Sequence, residues 1–513
     1  MPGFFEAFET LSDRPVFVHF QKLVQTARPS MQEAQVQGQI AEWGESQGFR
    51  VTRDKTGNIC LHVPARGETQ NQNPVIIQNH TDIVVSNADD APDGVDSATG
   101  NIPVDRGNVG PDGAFHPDQQ GAWLRAPFTT LGADNGIGCA MAMAICDDPD
   151  AVHPPLELIF TVDEEQGLTG ALQLDAEALE IRGRTLINLD TEDDDELTIG
   201  CAGGMDTEIT WQRERRAIPK DLAAFEIALG PTMGGHSGIE IDAGRVNANR
   251  ALARILRHAA LQTELHLASI VGGDKRNAIP RTASAVVVID PADEDKLRSA
   301  VDDVRTHLAK QFSSRDVDLN QAIADPKAVA LPDTAFLPQC TLHLIDMLLA
   351  LPAGVLGTTP EIPGLVETSN NLAVLQTEGD TVRIACNSRS SSVEALRDVS
   401  ATLCAAAGLA DATAKKTNQY PGWQPDVNSS LVKLTASAYE ELFGESPKVH
   451  AIHAGLECGV LAERIGGDVD SISFGPNIRG NHAPGERVEI ESVEKSYRLL
   501  KALLRSLAEQ GSP

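Results

Sequence analysis

The sequence lacks the features that mark membrane, secreted or disulfide-bonded proteins. No apolar run approaches the roughly 20 residues that cross a bilayer, and the first residues carry acids where a secretory segment carries bases. The eight cysteines are scattered and form no CxxC pair, which is typical of reduced thiols in a large chain. We therefore expect a cytoplasmic protein.

Basic residues are also scarce, with 42 Lys and Arg against 73 Asp and Glu and a net charge of -31. Such a surface repels phosphate backbones and anionic membranes, so nucleic-acid and membrane partners are not expected. A solvated acidic surface accounts for most of this charge, since a cation site uses only a handful of carboxylates. The length of 513 residues and the apolar content of 41% indicate a globular protein of about two to four domains, and we expect two.

Several motifs of known chemistry are missing. The chain has no GxSxG elbow, no cysteine in a motif with a plausible base, no P-loop and no dinucleotide fingerprint followed by its helix. Serine or cysteine hydrolysis and nucleotide chemistry are therefore poorly supported.

Short apolar runs predict an α/β domain. The runs at 74–78, 156–162 and 184–189 each end abruptly in acid-rich sequence and resemble buried central strands. The segment 133–148 predicts a helix of small apolar residues. In open α/β sheets the loops at the carboxyl ends of the strands form the ligand crevice. The polar residues that follow these runs are therefore the first candidates for a site.

The pattern changes after residue 204, where strands alternate with helices and predict an inserted α+β domain. A Pro- and Gly-containing stretch at 418–426 indicates the return to the first domain. We therefore expect a discontinuous first domain over 1–204 and 421–513, and an inserted domain over 205–420.

The candidate site residues are imidazoles and carboxylates, the ligands of divalent metals in hydrolases. Two-metal sites also need a carboxylate that bridges both ions. Taken singly, each candidate has an ordinary explanation, such as a helix cap, a charged surface turn or an exposed loop histidine. Each lies beyond a predicted strand, at a helix start or in a Gly-rich loop, and the joint pattern indicates a two-metal hydrolase. The candidates are His80, Asp82, Asp134, Glu164, Glu165, Asp190 and His482.

Two pairs among these candidates suggest a division of roles. His80 and Asp82 share a face in extended chain, so one could bind a metal while the other steadies the imidazole. The adjacent Glu164 and Glu165 repel each other unless a cation or solvent compensates them. If one glutamate binds metal, its neighbour can stay free to take a proton from water.

A series of motifs, in this order, resembles the aminoacyl-histidine dipeptidases of the M20 metallopeptidase family over about residues 20–500. Asn79 and Ile83 depart from the family pattern, where glycine and methionine are usual, but leave His80 and Asp82 in place. The motifs are QNHTDIVV, TTLGADNGIG, TVDEEQGLTGA, INLDTEDDDELTIGCAGG, GGHSGIEID, NAIPRTA, HAGLECG and GPNIRGNHAP.

The resemblance implies a di-metal, aminopeptidase-like catalytic domain and an inserted lid and dimerisation domain, hence a homodimer. It implies two zinc ions, with cobalt or manganese as possible replacements. His80, Asp134 and Asp190 would hold one ion and Asp134, Glu165 and His482 the other, with Asp134 as the bridge. Asp82 would orient His80, and Glu164 would be the general base.

Four further residues are expected to bind the substrate, a small peptide. His236 would donate to the oxyanion, Asn277 and Arg389 would hold the carbonyl or the terminal carboxylate, and Glu457 would contact the free amine. The expected reaction is hydrolysis of Xaa-His and related dipeptides. The alternatives are another M20-type amidohydrolase, such as a tripeptidase, an N-acyl amino acid deacylase or a carboxypeptidase, and a non-catalytic metal-binding protein on the same fold.

Overall fold

The computed structural model describes residues 6–360, 362–466 and 468–510. Its contacts divide the chain into two compact units. The first contains the described residues up to Gly200, Pro425–Ala451 and those from Leu456 onward, and the second contains Cys201–Gln424 and Ile452–Gly455. The first unit is thus discontinuous. The predicted domain boundaries after residues 204 and 420 stay a prediction, because compact units defined by contacts do not test domain boundaries.

The described residues form helices and strands throughout both units. The α-helices are α1 (Glu6–Glu9), α2 (Pro15–Val24), α3 (Ala34–Ser46), α4 (Ala133–Asp147), α5 (Thr169–Leu172), α6 (Ala248–Ala260), α7 (Glu294–Phe312), α8 (Leu319–Ala322), α9 (Pro338–Ala350), α10 (Val393–Leu409), α11 (Ser430–Phe443), α12 (Glu457–Ile465) and α13 (Ile490–Glu509). The strands are β1 (Arg50–Arg53), β2 (Ile59–Val63), β3 (Val75–His80), β4 (Asp105–Val109), β5 (Phe115–Pro117), β6 (Trp123–Arg125), β7 (Leu156–Thr161), β8 (Thr185–Asn188), β9 (Glu196–Cys201), β10 (Gly203–Gln212), β11 (Arg216–Ala217), β12 (Ala223–Leu229), β13 (Gly235–His236), β14 (His266–Gly272), β15 (Ala278–Ile279), β16 (Ala283–Ile289), β17 (Lys327–Val329), β18 (Thr334–Ala335), β19 (Gly354–Thr358), β20 (Val366–Glu378), β21 (Thr381–Ser390), β22 (Thr413–Tyr420), β23 (Lys448–Ile452), β24 (Asp470–Ser473), β25 (Ile478–Arg479) and β26 (Arg487–Glu489).

The main sheet of the first unit has the strand order β1-β2-β7-β3-β8-β24-β9-β23. The three runs expected as central strands are β3, β7 and β8, and β3 pairs in parallel with both of its neighbours. Every residue of β3 and β7 is buried, as in a parallel sheet covered on both faces. The carboxyl ends of these three strands therefore meet at one edge of the sheet.

Helix α4 begins beside this edge. Its residues from Asn135 to Cys146 are all buried, because small side chains cover its whole circumference. The remaining strands of the unit form a second sheet in the order β25-β26-β6-β4-β5. This second sheet carries the chain to and from the loop that contains His482.

The second unit is built on an antiparallel sheet with the order β17-β12-β16-β14-β20-β21-β10-β22, and β19 also pairs with β20. Helices α6, α7, α9 and α10 contribute apolar faces to one core with this sheet. Trp211 and Phe336 meet in that core edge to face, with ring centroids 5.0 Å apart. This unit has the alternating strands and helices that the sequence predicts for an α+β domain.

Among the described residues, no helix has both the length and the apolar character that crossing a membrane requires.

Candidate metal centre

The edge of the main sheet gathers most of the predicted site residues. His80 is the last residue of β3, Glu164 and Glu165 follow β7, and Asp190 follows β8. Asp134 lies at the start of α4 with non-helical backbone angles. The loop after β25 supplies His482, whose φ is 61°. The carboxyl ends of parallel strands thus bring together residues that are far apart in the sequence.

The carboxylate of Asp134 lies between two imidazoles. Its Oδ1 is 3.0 Å from Nε2 of His80, and its Oδ2 is 3.2 Å from Nε2 of His482. Oδ1 of Asp190 is 3.5 Å from the same nitrogen of His80, and Oε2 of Glu165 is 3.0 Å from that of His482. Two groups of three donors therefore share Asp134, and the donor atoms of each group lie within 4.8 Å of one another.

These donors fit a pair of divalent ions. Metal–nitrogen and metal–oxygen bonds of about 2.0–2.2 Å place neighbouring ligands of a tetrahedral zinc about 3.3–3.5 Å apart. The four distances span 3.0 to 3.5 Å. Oε1 of Glu165 is buried and has no hydrogen-bond partner among the described residues. A set of imidazoles and carboxylates suits zinc, cobalt or manganese.

The pKa shifts of these residues indicate that the clustered carboxylates are stabilised by nearby positive charge. Burial, together with the charge of Asp134, raises the pKa of Asp190 to about 6, although His80 opposes the shift. The pKa of His482 rises to about 11 because Asp134 and Glu165 both accept from its ring. Burial also raises the pKa of Glu165, and the charge of Asp134 adds to it. Either imidazolium protons or divalent cations can supply the charge that these carboxylates require.

Asp82 connects the end of β3 to the residues that follow β7. It is fully buried, and its Oδ1 lies 3.4 Å from Nδ1 of His80. Its Oδ1 and Oδ2 accept hydrogen bonds from the backbone N–H groups of Glu164 and Glu165 at 3.0 and 3.2 Å, respectively. Oδ2 also accepts a hydrogen bond from Ser30 Oγ at 2.7 Å. With Nδ1 facing Asp82, the imidazole presents Nε2 to Asp134 and Asp190.

Glu164 differs from its neighbour Glu165. It belongs to neither of the two groups that share Asp134, although one of its oxygens lies within 4.8 Å of donors from His80 and Glu165. Its pKa is raised well above the usual value of 4.5, mainly by burial and further by the charges of Glu165 and Asp190, with His80 opposing. The side chain thus stands beside the donor set as a carboxyl group with an increased affinity for a proton.

Glu486 is a residue of this centre that sequence reasoning missed. Its carboxylate accepts the backbone N–H groups of Leu131, Gly132 and Ala133 at 2.7 to 2.9 Å, and that of Asp134 at 3.4 Å. Glu486 therefore satisfies the amides at the entry to α4, so Asp134 is not a helix cap and its carboxylate is left for the two histidines. Leu131 and Glu486 are 355 positions apart, which is why no local pattern indicated the contact.

Arg28 was missed for the same reason. This buried arginine donates to the carbonyl oxygens of Thr81 and Gly132 at 3.0 and 2.5 Å. It thereby ties the loop after β3 to the entry of α4. Burial lowers its pKa, while the charges of Glu486, Asp82 and Asp134 oppose that shift.

Glu457 lies at the start of α12 and is buried. Its Oε2 accepts from Gln78 Nε2 at 2.5 Å and from Thr161 Oγ1 at 2.8 Å, whereas its Oε1 has no partner among the described residues. Burial raises its pKa to about 7. The expected contact between Glu457 and a substrate amine stays a prediction.

His236 lies in the second unit, on the short strand β13. Its Nδ1 accepts the backbone N–H groups of Gly238 and Ile239 at 3.2 and 3.1 Å. Burial, followed by the charge of Arg389, lowers the pKa of His236, so the ring is neutral at neutral pH. Because Nδ1 accepts, the ring proton is on Nε2, and this N–H is available as a donor.

Arg389 and Asn277 also lie in the second unit. Arg389, on β21, is buried and donates from Nη1 to the hydroxyl of Tyr420 at 3.2 Å, while its Nε has no partner among the described residues. Within the described ranges no carboxylate forms an ion pair with Arg389. The side chain of Asn277 is exposed, and its backbone oxygen accepts from Ser237 N at 2.8 Å, beside His236.

Comparisons with known proteins identify the family of the chain. Residues 230–316 match the family described as the peptidase dimerisation domain. Over 498 residues the chain is 36% identical to the cytosol non-specific dipeptidase of Escherichia coli (strain K12), covering 97% of this chain and 98% of that protein. It is also similar to the crystal structure of aminoacylhistidine dipeptidase from Vibrio alginolyticus, with 34% identity, a TM-score of 0.86 and 98% of each chain covered.

A more distant likeness concerns the fold alone. Aminopeptidase PepT from Bacillus cereus is 17% identical with a TM-score of 0.54, over 96% of this chain and 98% of that one.

The chain belongs to the aminoacyl-histidine dipeptidase group of the M20 metallopeptidases and is a metallo-dipeptidase. The family and fold class expected from the motifs are thereby confirmed.

Proposed function

We propose that the protein hydrolyses dipeptides, Xaa-His dipeptides among them, at a centre that holds two zinc ions, with cobalt or manganese as replacements. One observation carries the proposal: the two oxygens of Asp134 face two different histidines, and each histidine has a further carboxylate beside it. His80, Asp134 and Asp190 would hold one ion and Asp134, Glu165 and His482 the other. Bound ions would polarise the scissile carbonyl and acidify water.

The protein's own groups would handle the proton and the substrate. Glu164 would take a proton from the attacking water at its carboxylate and deliver it to the leaving amine. Asp82 would keep the His80 ring oriented through Nδ1. This division follows the geometry, since Glu165 contacts His482 and Glu164 does not.

The second unit would contribute substrate-binding groups. His236 would donate from Nε2 to the oxyanion that forms at the scissile carbonyl. The guanidinium of Arg389 has no carboxylate partner in the described part of the chain, and it would take the substrate's terminal carboxylate. The exposed side chain of Asn277 would bind a backbone oxygen of the peptide, and Glu457 of the first unit would bind the free amine.

The substrate class is the part of the proposal most easily tested. The two similar dipeptidases carry different printed specificities, one non-specific and one for aminoacyl-histidine. Metal-loaded protein should hydrolyse a panel of Xaa-His and other dipeptides, with at least about tenfold lower kcat/KM on a tripeptide and an N-acetyl amino acid. A preference for tripeptides or acyl amino acids would favour another M20-type amidohydrolase. No hydrolysis across the panel would indicate a non-catalytic metal-binding protein.

We further propose that the protein is a homodimer of the cytoplasm. The match of residues 230–316 to a peptidase dimerisation domain supports the dimer. Sedimentation equilibrium of the full chain should give twice the mass of one chain at micromolar concentration. A single-chain mass under those conditions would contradict the proposed dimer.

A further inference from the structure

A cavity of about 390 Å³ in the second unit gathers arginine side chains. Its lining includes Arg245, Arg250, Arg254 and Arg315, and Asp242 is the one acidic residue among the described lining residues. The chain as a whole has 73 acidic and 42 basic residues. Four guanidinium groups around one space therefore reverse the local sign of charge. We call this space the arginine cavity.

Two of these arginines project from one face of α6. Arg250 and Arg254 are four residues apart, a spacing that places like charges side by side. Nη1 of Arg250 donates to Leu351 O at 2.7 Å, and Nη1 of Arg254 donates to Gln311 Oε1 at 2.9 Å. Neither guanidinium forms an ion pair within the described ranges. Since each has five N–H donors, most of their hydrogen-bonding capacity is unused.

No carboxylate of the described residues compensates the charge of Arg250 and Arg254 directly. Burial lowers the pKa of Arg250, and burial followed by the charge of Arg250 lowers that of Arg254. Neither pKa is raised by an acidic side chain in the described part of the chain. Two adjacent, partly buried cations that form no ion pair with a described residue make a favourable place for an anion.

The other two arginines complete the rim. Arg245 forms an ion pair with Glu240 at 2.8 Å and also donates to the carbonyl oxygen of Gly234 at 2.7 Å. The exposed Arg315 has neither a hydrogen bond nor an ion pair from its guanidinium among the described residues. A Cβ on Gly244 would lie 3.2 Å from Nη1 of Arg315, so the glycine leaves room for that side chain. Among the described lining residues, three guanidinium groups thus have no ion pair, and Asp242 contributes the one carboxylate.

The remaining wall is mostly apolar, with the amide side chains of Asn247, Gln311 and Asn371 as its other polar groups, and this composition restricts the chemistry of the ligand. Guanidinium groups bind phosphate and carboxylate oxygens through paired N–H donors, and a volume of this size suits a small organic molecule. The apolar lining residues are Ile241, Val246, Ala251, Ile279, Leu308, Phe312, Ala353 and Val355.

We propose that the arginine cavity binds a small organic anion, a phosphate monoester or a dicarboxylate with an apolar body. None of its lining residues belongs to the metal-donor groups, so this site is additional to the one that we propose for catalysis. Residues 241–315 of the lining fall within the region that matches the dimerisation domain, so the acidic surface of a second copy is the rival occupant. Partly buried guanidiniums around a concave space with apolar walls favour the small ligand.

The test measures binding of phenyl phosphate and of glutarate to the metal-loaded, full-length protein by isothermal titration calorimetry. The two probes distinguish a phosphate source from a carboxylate source. The test variant is Arg250→Gln/Arg254→Gln, and the exposed single variant Arg315→Gln guards against a failure to fold. The matched control is Arg257→Gln on the same helix, because Arg257 pairs with Asp346 at 2.7 Å and does not line the cavity.

At least one probe should bind the wild type, more weakly at about 0.15 M salt than at 0.02 M. The double variant should lose about tenfold or more in affinity, Arg315→Gln should lose about threefold, and Arg257→Gln should change by less than about twofold. Dipeptidase turnover without anion should stay unchanged in all three. Absence of binding by either probe up to about 10 mM, or equal affinity in wild type and double variant, would overturn the proposal. So would dissociation of a dimer by the double variant, which would assign the arginines to subunit contact.

Discussion

At the scale of single residues, the centre depends on side chains that hold the donors as well as on the donors themselves. Glu486 accepts hydrogen bonds from the backbone N–H groups that precede Asp134. Asp82 accepts hydrogen bonds from the backbone N–H groups of Glu164 and Glu165. The sequence indicated Asp82 through its spacing from His80, because two residues of extended chain share a face. The sequence could not indicate Glu486, because its partners are far away in the chain. They are also backbone N–H groups, which every residue except proline has.

Loss of the Glu486 carboxylate should loosen Asp134. Glu486→Gln replaces one accepting oxygen by a donor that repels the amides of residues 131–134, so metal affinity and kcat should each fall by about 10- to 100-fold. Metal titration and steady-state kinetics measure the effect. The exposed neighbour Glu491 provides the control, since Glu491→Gln should leave both quantities unchanged. Wild-type metal affinity in Glu486→Gln would show that the contact does not position Asp134.

His453 should give the second unit a measurable sensitivity to acid. Its Nε2 lies 2.7 Å from Ser369 Oγ, and burial, followed by the charge of Arg389, lowers its pKa to about 4. Histidine in the unfolded chain titrates near about 6.5, so the unfolded chain takes up the proton first and stability falls as pH drops from about 6.5 to 4.

The variant His453→Gln keeps a hydrogen-bonding group for Ser369 but removes this titration. Between pH 7 and pH 5 it should lose about 2 kcal/mol less unfolding free energy than the wild type. Urea unfolding of the full chain at pH 7 and at pH 5, followed by its tryptophan fluorescence, measures the difference. Identical pH dependence in both proteins would contradict the lowered pKa.

At the scale of elements, the sequence was most informative where burial is complete. The runs that became β3, β7 and β8 are apolar on both faces, so their type and the importance of their ends were predictable. The small-residue helix α4 was also predicted within one residue of its observed bounds. The second sheet of the first unit was not, because its strands are short and polar. The sequence also did not predict that Ile452–Gly455 belongs to the second unit, because this assignment depends on long-range contacts.

The close approach of α4 to the sheet should make Gly138 sensitive to substitution. A Cβ there would lie 2.0 Å from Oδ1 of Asn135, 2.2 Å from Oδ1 of Asn79 and 2.8 Å from the backbone oxygen of Leu189, which precedes Asp190. Gly138→Ala should therefore cost about 1–3 kcal/mol by overpacking and should disturb the donor set.

The matched control is Gly38→Ala in α3, where nothing lies within 4 Å of the added carbon. That change should be neutral or stabilise the protein by about 0.5–1 kcal/mol, because alanine favours a helix over glycine. Thermal unfolding and metal content of both variants measure the contrast. Equal stability of the two variants would contradict the close approach that we describe.

At the scale of the whole molecule, the acidic excess serves the centre only in part. The two donor groups use Asp134, Glu165 and Asp190, whereas neighbouring acids of the run after Asp190 pair with cations instead. Asp193 pairs with Arg479 and Asp195 with Lys448. A count of charge therefore could not identify the candidate ligands. Their positions after the strands, and the ordered series of motifs, distinguished them from the solvated and paired acids around them.

The central claim is that one bridging carboxylate holds two ions while a neighbouring free glutamate handles the proton. Metal content per chain, measured by mass spectrometry beside turnover, tests it in the wild type, Asp134→Ala and Glu164→Gln. The wild type should hold two ions. Asp134→Ala should lose both ions and its activity. Glu164→Gln should keep both, with kcat lower by about 10²- to 10⁴-fold. Two ions retained in Asp134→Ala, or wild-type turnover in Glu164→Gln, would contradict the account.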